Sequence, residues 1–339
     1  MKTKALCFPH IIQSLSPWFT RALLYWDEVG AIVPWSFVKN PEQLGEHMRS
    51  LIQEELLTQV IPGFYVWQIP RFKESFLEYL NNLGPELDLR RKKFMDTGQF
   101  GTYIHIEKLD SLGWDLSDLK LATKPDQGPS PRYPWVRVEK TTGQEFMCYL
   151  AVTLGRFEEL KFTPITNDPS YLDLLIRSSH PPEKGTATLS PLRTLVLDSL
   201  LPSPSQPLDA TGIRAFKERH GDELTRFRRR IEMELTEVGD MNDENLKSRR
   251  LNLFLEEAED TIKSLRSKMK RFGWLKTTLA SVSAVIGAFP GTSWAFGLAG
   301  AVMGAFPRSQ DIDSNSPLLY AALTRKELSI VDESTASEK

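Results

Sequence analysis

KALCFPHIIQSLSPWFTRALLYWDEVGAIVP, residues 4–34, is the stretch on which the fold class turns. Its first five residues form a short apolar run closed by Pro9, which suits a strand that ends in a turn. Ser16 is placed as an N-cap with Pro17 at the first helical position. Trp18, Ala22 and Tyr25 then recur at three- and four-residue spacing, which predicts a helix. Val29 to Val33, closed by Pro34, reads as a second buried strand. Strand, helix, strand in so short a span is the pattern of a parallel α/β unit, because parallel neighbours need a crossover between them.

Outward from this unit the pattern stays mixed. Residues 41–59 look helical, with Leu44, Met48, Leu51 and Leu56 among charges, while FGTYIHIEKL (100–109) alternates like a half-buried strand. Trp135 to Glu139 alternates likewise, Gln144 to Leu154 is helix-like, SSHPPEKGTATLSP (178–191) is a loop by composition, and RTLVLDSLL (193–201) reads as a strand or short apolar segment. These assignments place an α/β or α+β domain with a mixed or parallel sheet over residues 1–200.

LPSPSQPLD (201–209) stops any regular element, so a Pro/Ser linker is expected over 201–210. Beyond it, Ile213, Phe216, His220, Leu224, Phe227, Ile231 and Leu235 step by three or four residues and predict one long helix. GDMND (239–243) supplies a turn. Leu251, Leu255, Ala258, Ile262, Leu265, Met269 and Phe272 then form a heptad seam, which predicts a charged antiparallel helical hairpin over 211–272. A short helix packing back is expected within 308–330 (SPLLYAAL, 316–323) and a disordered tail over 331–339.

Between these lies the least ordinary segment. From Thr277 to Pro307 there is no Asp, Glu, Lys or Arg, although a quarter of the chain is charged. It carries Gly287, Gly291, Trp294, Gly297, Gly300 and Gly304, with two GxxxG pairs among them, and predicts a glycine-rich hydrophobic hairpin over 273–307. Pro290-Gly291 divides it into halves of about 20 Å as helices, against a hydrocarbon core of ~30 Å, so neither half spans alone. Six bases without an acid run from Lys263 to Lys276, as expected beside anionic lipid, and Lys268, Lys270 and Arg271 are candidate anion contacts. Three readings fit the segment: a tightly packed buried hairpin, a membrane-associating or inserting element, and a self-association surface.

Candidates for chemistry are few. Lys plus Arg is 42 and Asp plus Glu is 44, a formal charge of −2, so no whole-chain field draws the protein to nucleic acid or an anionic membrane. The common dinucleotide, P-loop, zincin and hydrolase signatures are absent. Cys7 and Cys148 have no partners at disulfide-framework or zinc spacing, which points to a reducing compartment, and no metal or cofactor is expected. His10 follows the first strand, where α/β sheets place ligands, and Asp27 ends the next helix, so the two are a candidate acid/base pair or plain turn-stabilising groups. His105 and Glu107 stand two apart on a predicted strand and would share a face, as a metal or proton-transfer site or as a cross-strand polar pair on the solvent side. Arg90, Arg91, Lys92 and Lys93 form a dense basic cluster that suits an anion, whereas TRFRRR (225–230) meets acids at i, i+4 and reads as solvated ion pairs. The N-terminus begins like a signal peptide, but Pro9, His10 and Gln13 interrupt its apolar run, so a cytoplasmic chain is expected, peripheral to or inserted in the inner membrane through 273–307 if that segment meets lipid.

FPHI (8–11), LLYWD (23–27), IVP (32–34), the LPSPS turn, FKERHGDELTRFR (216–228) and SPLLYAAL (316–323) together resemble the landmarks of an uncharacterised bacterial domain-of-unknown-function family, in order over most of the chain. The resemblance implies a bacterial cytosolic origin and, by analogy, an accessory-genome or phage-defence setting. It brings no catalytic residue. The sequence thus predicts a non-enzymatic protein that meets a protein partner, itself or a membrane surface, with nucleic acid not an expected partner. An enzyme acting on nucleotides or nucleic acid is the alternative.

Overall fold

The computed structural model describes residues 3–14, 16–97, 101–124, 134–178, 186–201, 209–241, 243–271 and 315–328. It divides into two compact units. The first comprises Met1–Leu195 with Gln206–Arg219 and the second Val196–Ser205 with His220–Lys339. Composition alone sets a boundary at 201–210, whereas this division falls between Leu195 and Val196 and again at His220.

In the first unit β1 (Lys4–Cys7), α1 (Pro17–Tyr25) and β2 (Glu28–Ile32) make the expected crossover. Ser16 caps α1, its Oγ accepting from the Phe19 amide at 3.2 Å. The chain continues through α2 (Trp35–Lys39), a 3₁₀ turn (Pro41–Leu44), α3 (Glu46–Gln53), β3 (Leu57–Val60) and α4 (Pro62–Tyr65), which runs into a second 3₁₀ turn (Val66–Gln68). The helix expected over 41–59 therefore ends early. Glu55 takes φ 56°, which no helix interior tolerates, and Leu57–Val60 pairs with β2 instead. Next come α5 (Phe72–Asn81), α6 (Pro85–Thr97), β4 (Gly101–His105), α7 (Ile106–Leu109), α8 (Leu112–Asp118), β5 (Trp135–Glu139), α9 (Lys140–Arg156), β6 (Thr163–Ile165), α10 (Pro169–Ser178), α11 (Thr186–Leu200) and α12 (Ala210–Arg219).

The main sheet is parallel, in the order β3-β2-β1-β6. Residues Ala5 to Cys7 and Val29 to Ile32 are buried without alternation, as expected of strands covered on both faces. A second, antiparallel sheet pairs β4 with β5 and gains an isolated bridge from Ala122 to Val138. Both of its strands run straight into helices that their last residues cap. His105 Nδ1 accepts from the Glu107 amide, and the Glu139 carboxylate accepts from the amides of Thr141 and Thr142. The strand expected over 100–109 stops at His105 for this reason, and His105 and Glu107 do not share a strand face. α12 is tied to α1 by Lys217, whose ammonium donates to the carbonyls of Leu23 and Trp26 at 2.8 and 2.6 Å, the C-terminal groups left open by the helix.

RTLVLDSLL proves helical. Val196, Leu197, Leu200 and Leu201 are buried while Leu195 and the 198–199 positions are not, a helical face rather than an alternating one. The second unit holds the end of α11 with α13 (Gly221–Asp240), α14 (Glu244–Arg271) and α15 (Leu319–Glu327). The single helix expected from 213 to 235 is two, broken at His220. Leu224, Phe227, Ile231, Leu235 and Val238 of α13 are buried, as are Leu251, Phe254, Ala258, Ile262 and Leu265 of α14; Phe254 takes the place in the seam expected for Leu255. Every residue of α15 from Leu319 to Thr324 is buried, the mark of a central helix. Arg325 holds it, pairing with Glu259 at 2.7 Å and donating to the carbonyls of Ser199 and Leu200.

Candidate functional site

In a parallel sheet, ligands meet the loops beyond the carboxyl ends of the strands. Those loops here are Phe8–Ser14 after β1, Val33–Trp35 after β2 and the Ile61–Gln68 turns after β3. α7 lies against the first two. Lys108 Nζ donates to the Pro9 carbonyl at 3.1 Å, and the Glu107 carboxylate accepts the Ser36 amide at 3.1 Å. His105 Nε2 stands 3.4 Å from Ser36 Oγ, and its ring meets Phe37 and Trp135 edge-on at 5.8 and 5.3 Å.

The cluster has the residue types of a nucleophile–base pair, but its proton placement is wrong for one. His105 Nδ1 accepts from a backbone N–H, so the neutral ring carries its proton on Nε2 and donates toward Ser36. A base for Ser36 needs its Nε2 lone pair open. His105 is 1% exposed, and burial pulls its pKa down to about 4, which keeps the ring neutral. Lys108 is 4% exposed and lowered to about 7 by the same cause. These groups join α7 to the sheet edge.

The other sequence candidates disperse. His10 lies beyond the carboxyl end of β1. Asp27 precedes β2 at the opposite edge, where its carboxylate accepts from the Thr3 amide and hydroxyl at 2.7 and 3.0 Å. The strand between them is four residues long, roughly 13 Å, so the two form no acid/base pair. Arg90 turns inward and is not an external anion contact: it grips Glu145 through two N–H groups at 2.6 and 2.9 Å and also bonds Glu86. Arg91 is spent on the Leu119 carbonyl and Asp88. Lys92 and Lys93 are exposed, and the shallow cavity that Lys92 and Lys120 line also holds Asp88 and Asp118, so its charge is mixed. In TRFRRR, Arg230 pairs with Glu234 at i, i+4 as expected, whereas Arg226 meets Glu223 at i, i+3 and Arg228 is buried. Lys268, Lys270 and Arg271 fall in the last turns of α14, and their side chains lie outside the described residues, as do Gly287, Gly291, Trp294, Gly297, Gly300 and Gly304. Among the described residues no three His, Cys, Asp or Glu side chains gather as metal ligands, and no helix is long and apolar enough to cross a membrane.

What the carboxyl edge does present is aromatic. Trp35 begins α2, Phe64 sits in α4 and Trp67 in the 3₁₀ turn that follows; they are 39%, 48% and 77% exposed. The Trp35 and Phe64 rings lie 5.3 Å apart. Phe64 and Trp67 stand three apart in two adjoining short turns, and Tyr65 between them packs on Phe157 at 5.5 Å. Lys39 places its ammonium 5.5 Å from the centre of the Trp35 ring. Sequence reasoning missed these three residues. The available signal was a large aromatic one or two residues after a proline that closes a strand, at Pro34-Trp35 and Pro62-Gly63-Phe64.

No family model, no curated protein and no solved structure matches the chain.

Proposed function

We propose that the chain is a non-enzymatic interaction protein whose α/β unit docks a partner on the aromatic surface at the carboxyl edge of its parallel sheet. The observation that carries this reading is the contrast at that edge. His105 and Lys108 are turned inward and bonded to backbone, while Trp35, Phe64 and Trp67 face solvent. Trp is the residue type most concentrated in binding hot spots, and large aromatics held on short, proline-started turns lose little freedom on binding. The second unit, read as an antiparallel pairing of α13 and α14 closed by α15, then carries the charge-free 277–307 stretch as a second contact, to a membrane surface or a protein.

A photo-crosslinking amino acid placed at Trp67 in the full chain, expressed in bacterial cells, tests the docking site. Discrete adducts are expected from position 67 and none from exposed Leu89 on α6. Absence of any adduct at 67, or equal adducts at both positions, overturns it.

A further inference from the structure

We infer that the occupant of this surface is a proline-rich segment of a partner protein in extended polyproline II conformation. The inference rests on the docking reading and adds the chemistry of the partner. Trp35, Phe64 and Trp67 gather at this edge: the first two rings lie 5.3 Å apart, and Trp67 follows Phe64 by three residues in the adjoining 3₁₀ turn. One three-residue turn of polyproline II rises ~9 Å, so a segment of one or two turns reaches across aromatic groups spaced as Trp35 and Phe64 are. Such a segment keeps its carbonyls unbonded within itself and needs donors from its receptor. Trp35 and Trp67 supply them, because the indole N–H is donor only and neither has a hydrogen-bond partner among the described residues.

Area and charge decide against other occupants. At their observed exposures the three side chains offer roughly 400 Å² of aromatic surface, well short of the ~800 Å² per partner of a stable protein–protein interface. A second copy docked face to face is therefore too large a claim for this patch, and a short segment fits it. Single-stranded nucleic acid also stacks on aromatic rows, but it requires a cationic groove along its phosphates. Residues 34–40 and 61–71 carry only two charges, Lys39 and Arg71, and Arg71 is paired with Glu78. Lys39, over the Trp35 ring, favours an acidic residue flanking the prolines.

The test titrates the full chain with a fluorescein-labelled peptide of two PxxP repeats and one flanking Asp, read by fluorescence anisotropy. Controls are the same peptide with alanine for proline and a labelled oligothymidylate. Saturable binding of the proline peptide alone is expected, weakened at least tenfold by Trp35→Ala and by Trp67→Ala, with melting temperatures unchanged, and unaffected by Leu89→Ala. Binding by the alanine peptide equal to that of the proline peptide overturns the inference, as does preference for the oligonucleotide. If neither peptide binds while position 67 still crosslinks a protein, the partner chemistry is wrong and the docking site survives. If neither peptide binding nor crosslinking occurs, both fall. Concentration-dependent dimerisation that disappears in Trp67→Ala would assign the face to a second copy and also overturns it.

Discussion

His105 caps the short helix α7 and Lys108 lies on it three residues later, and each is kept neutral by burial in a different pH window. The folded His105 ring takes a proton only near pH 4, against an ordinary value of 6.5. As pH falls from 6.5 to 4 the unfolded chain binds a proton that the folded chain refuses, so stability drains across that window, and below it the two states take the proton alike. The loss is at most about 3.5 kcal/mol, from ~1.4 kcal/mol per pH unit across that window. Asparagine at this position offers an oxygen to the Glu107 amide and has nothing to titrate. His105→Asn is expected to melt close to the parent at pH 7.5 and to lose distinctly less stability between pH 6.5 and 4, followed by chemical denaturation at stepped pH. An identical acid slope in both proteins would refute the assignment. For Lys108 the sign is the same and the window higher. Its pKa falls from 10.5 to about 7, so the parent gains stability as pH rises from 7 toward 10. Lys108→Met keeps the stem and discards the amine. The variant should show a flat profile over pH 7–10 and stand about 1–3 kcal/mol above the parent at pH 7, the relieved desolvation exceeding the lost bond to the Pro9 carbonyl. A parent profile that is itself flat there would show that the amine stays charged.

Elements in this protein are placed by close approach as much as by caps. Gly155 near the end of α9 lies where a Cβ would stand 2.5 Å from the backbone oxygen of Phe162, at the entry to β6. A carbonyl held by the chain cannot step aside as a side chain can. Gly155→Ala should therefore cost about 1–3 kcal/mol through overpacking. Gly212 in α12 meets nothing within 4 Å of the same added atom, so Gly212→Ala should instead add about 0.5–1 kcal/mol by removing the entropy cost of a helical glycine. Urea midpoints of the two variants are expected to shift in opposite directions, and a stabilised Gly155→Ala would show that α9 does not press on that strand. The strand-ending caps act at the same scale. His105 and Glu139 each close a strand and open a helix; the alternation read over 100–109 runs four residues past the end of β4, whereas that of Trp135 to Glu139 ends with β5.

At the scale of the whole chain, the uncharged 277–307 stretch makes the sharpest prediction. Under the membrane reading the full protein should float with vesicles rich in anionic lipid, and deletion of residues 274–306 should abolish flotation while leaving the melting transition of the α/β unit in place. A protein that stays at the bottom of the gradient, and that unfolds when the segment is deleted, would assign the stretch to packed core.

Much of the fold was legible in the residues. Apolar runs closed by Pro9 and Pro34, with Ser16-Pro17 between them, are local signals with local causes, and the parallel pairing of β1 and β2 follows from the crossover they enclose. Stripes at three- and four-residue spacing named the buried faces of α13 and most of α14 in the same way. What only the tertiary structure decided depends on partners distant in sequence. Leu57–Val60 became a strand because β2 offers it an edge, and Arg90 left the surface because Glu145, 55 residues on, neutralises it in a buried site. Ser36, His105, Glu107 and Lys108 came together through α7 lying across two strand ends, with the proton on the nitrogen that disarms them as a catalytic pair. Periodicity reports which side of an element is apolar; it carries no record of which aromatic side chains the assembled sheet leaves facing water, and Trp35, Phe64 and Trp67 were for that reason visible only once the strands were in place.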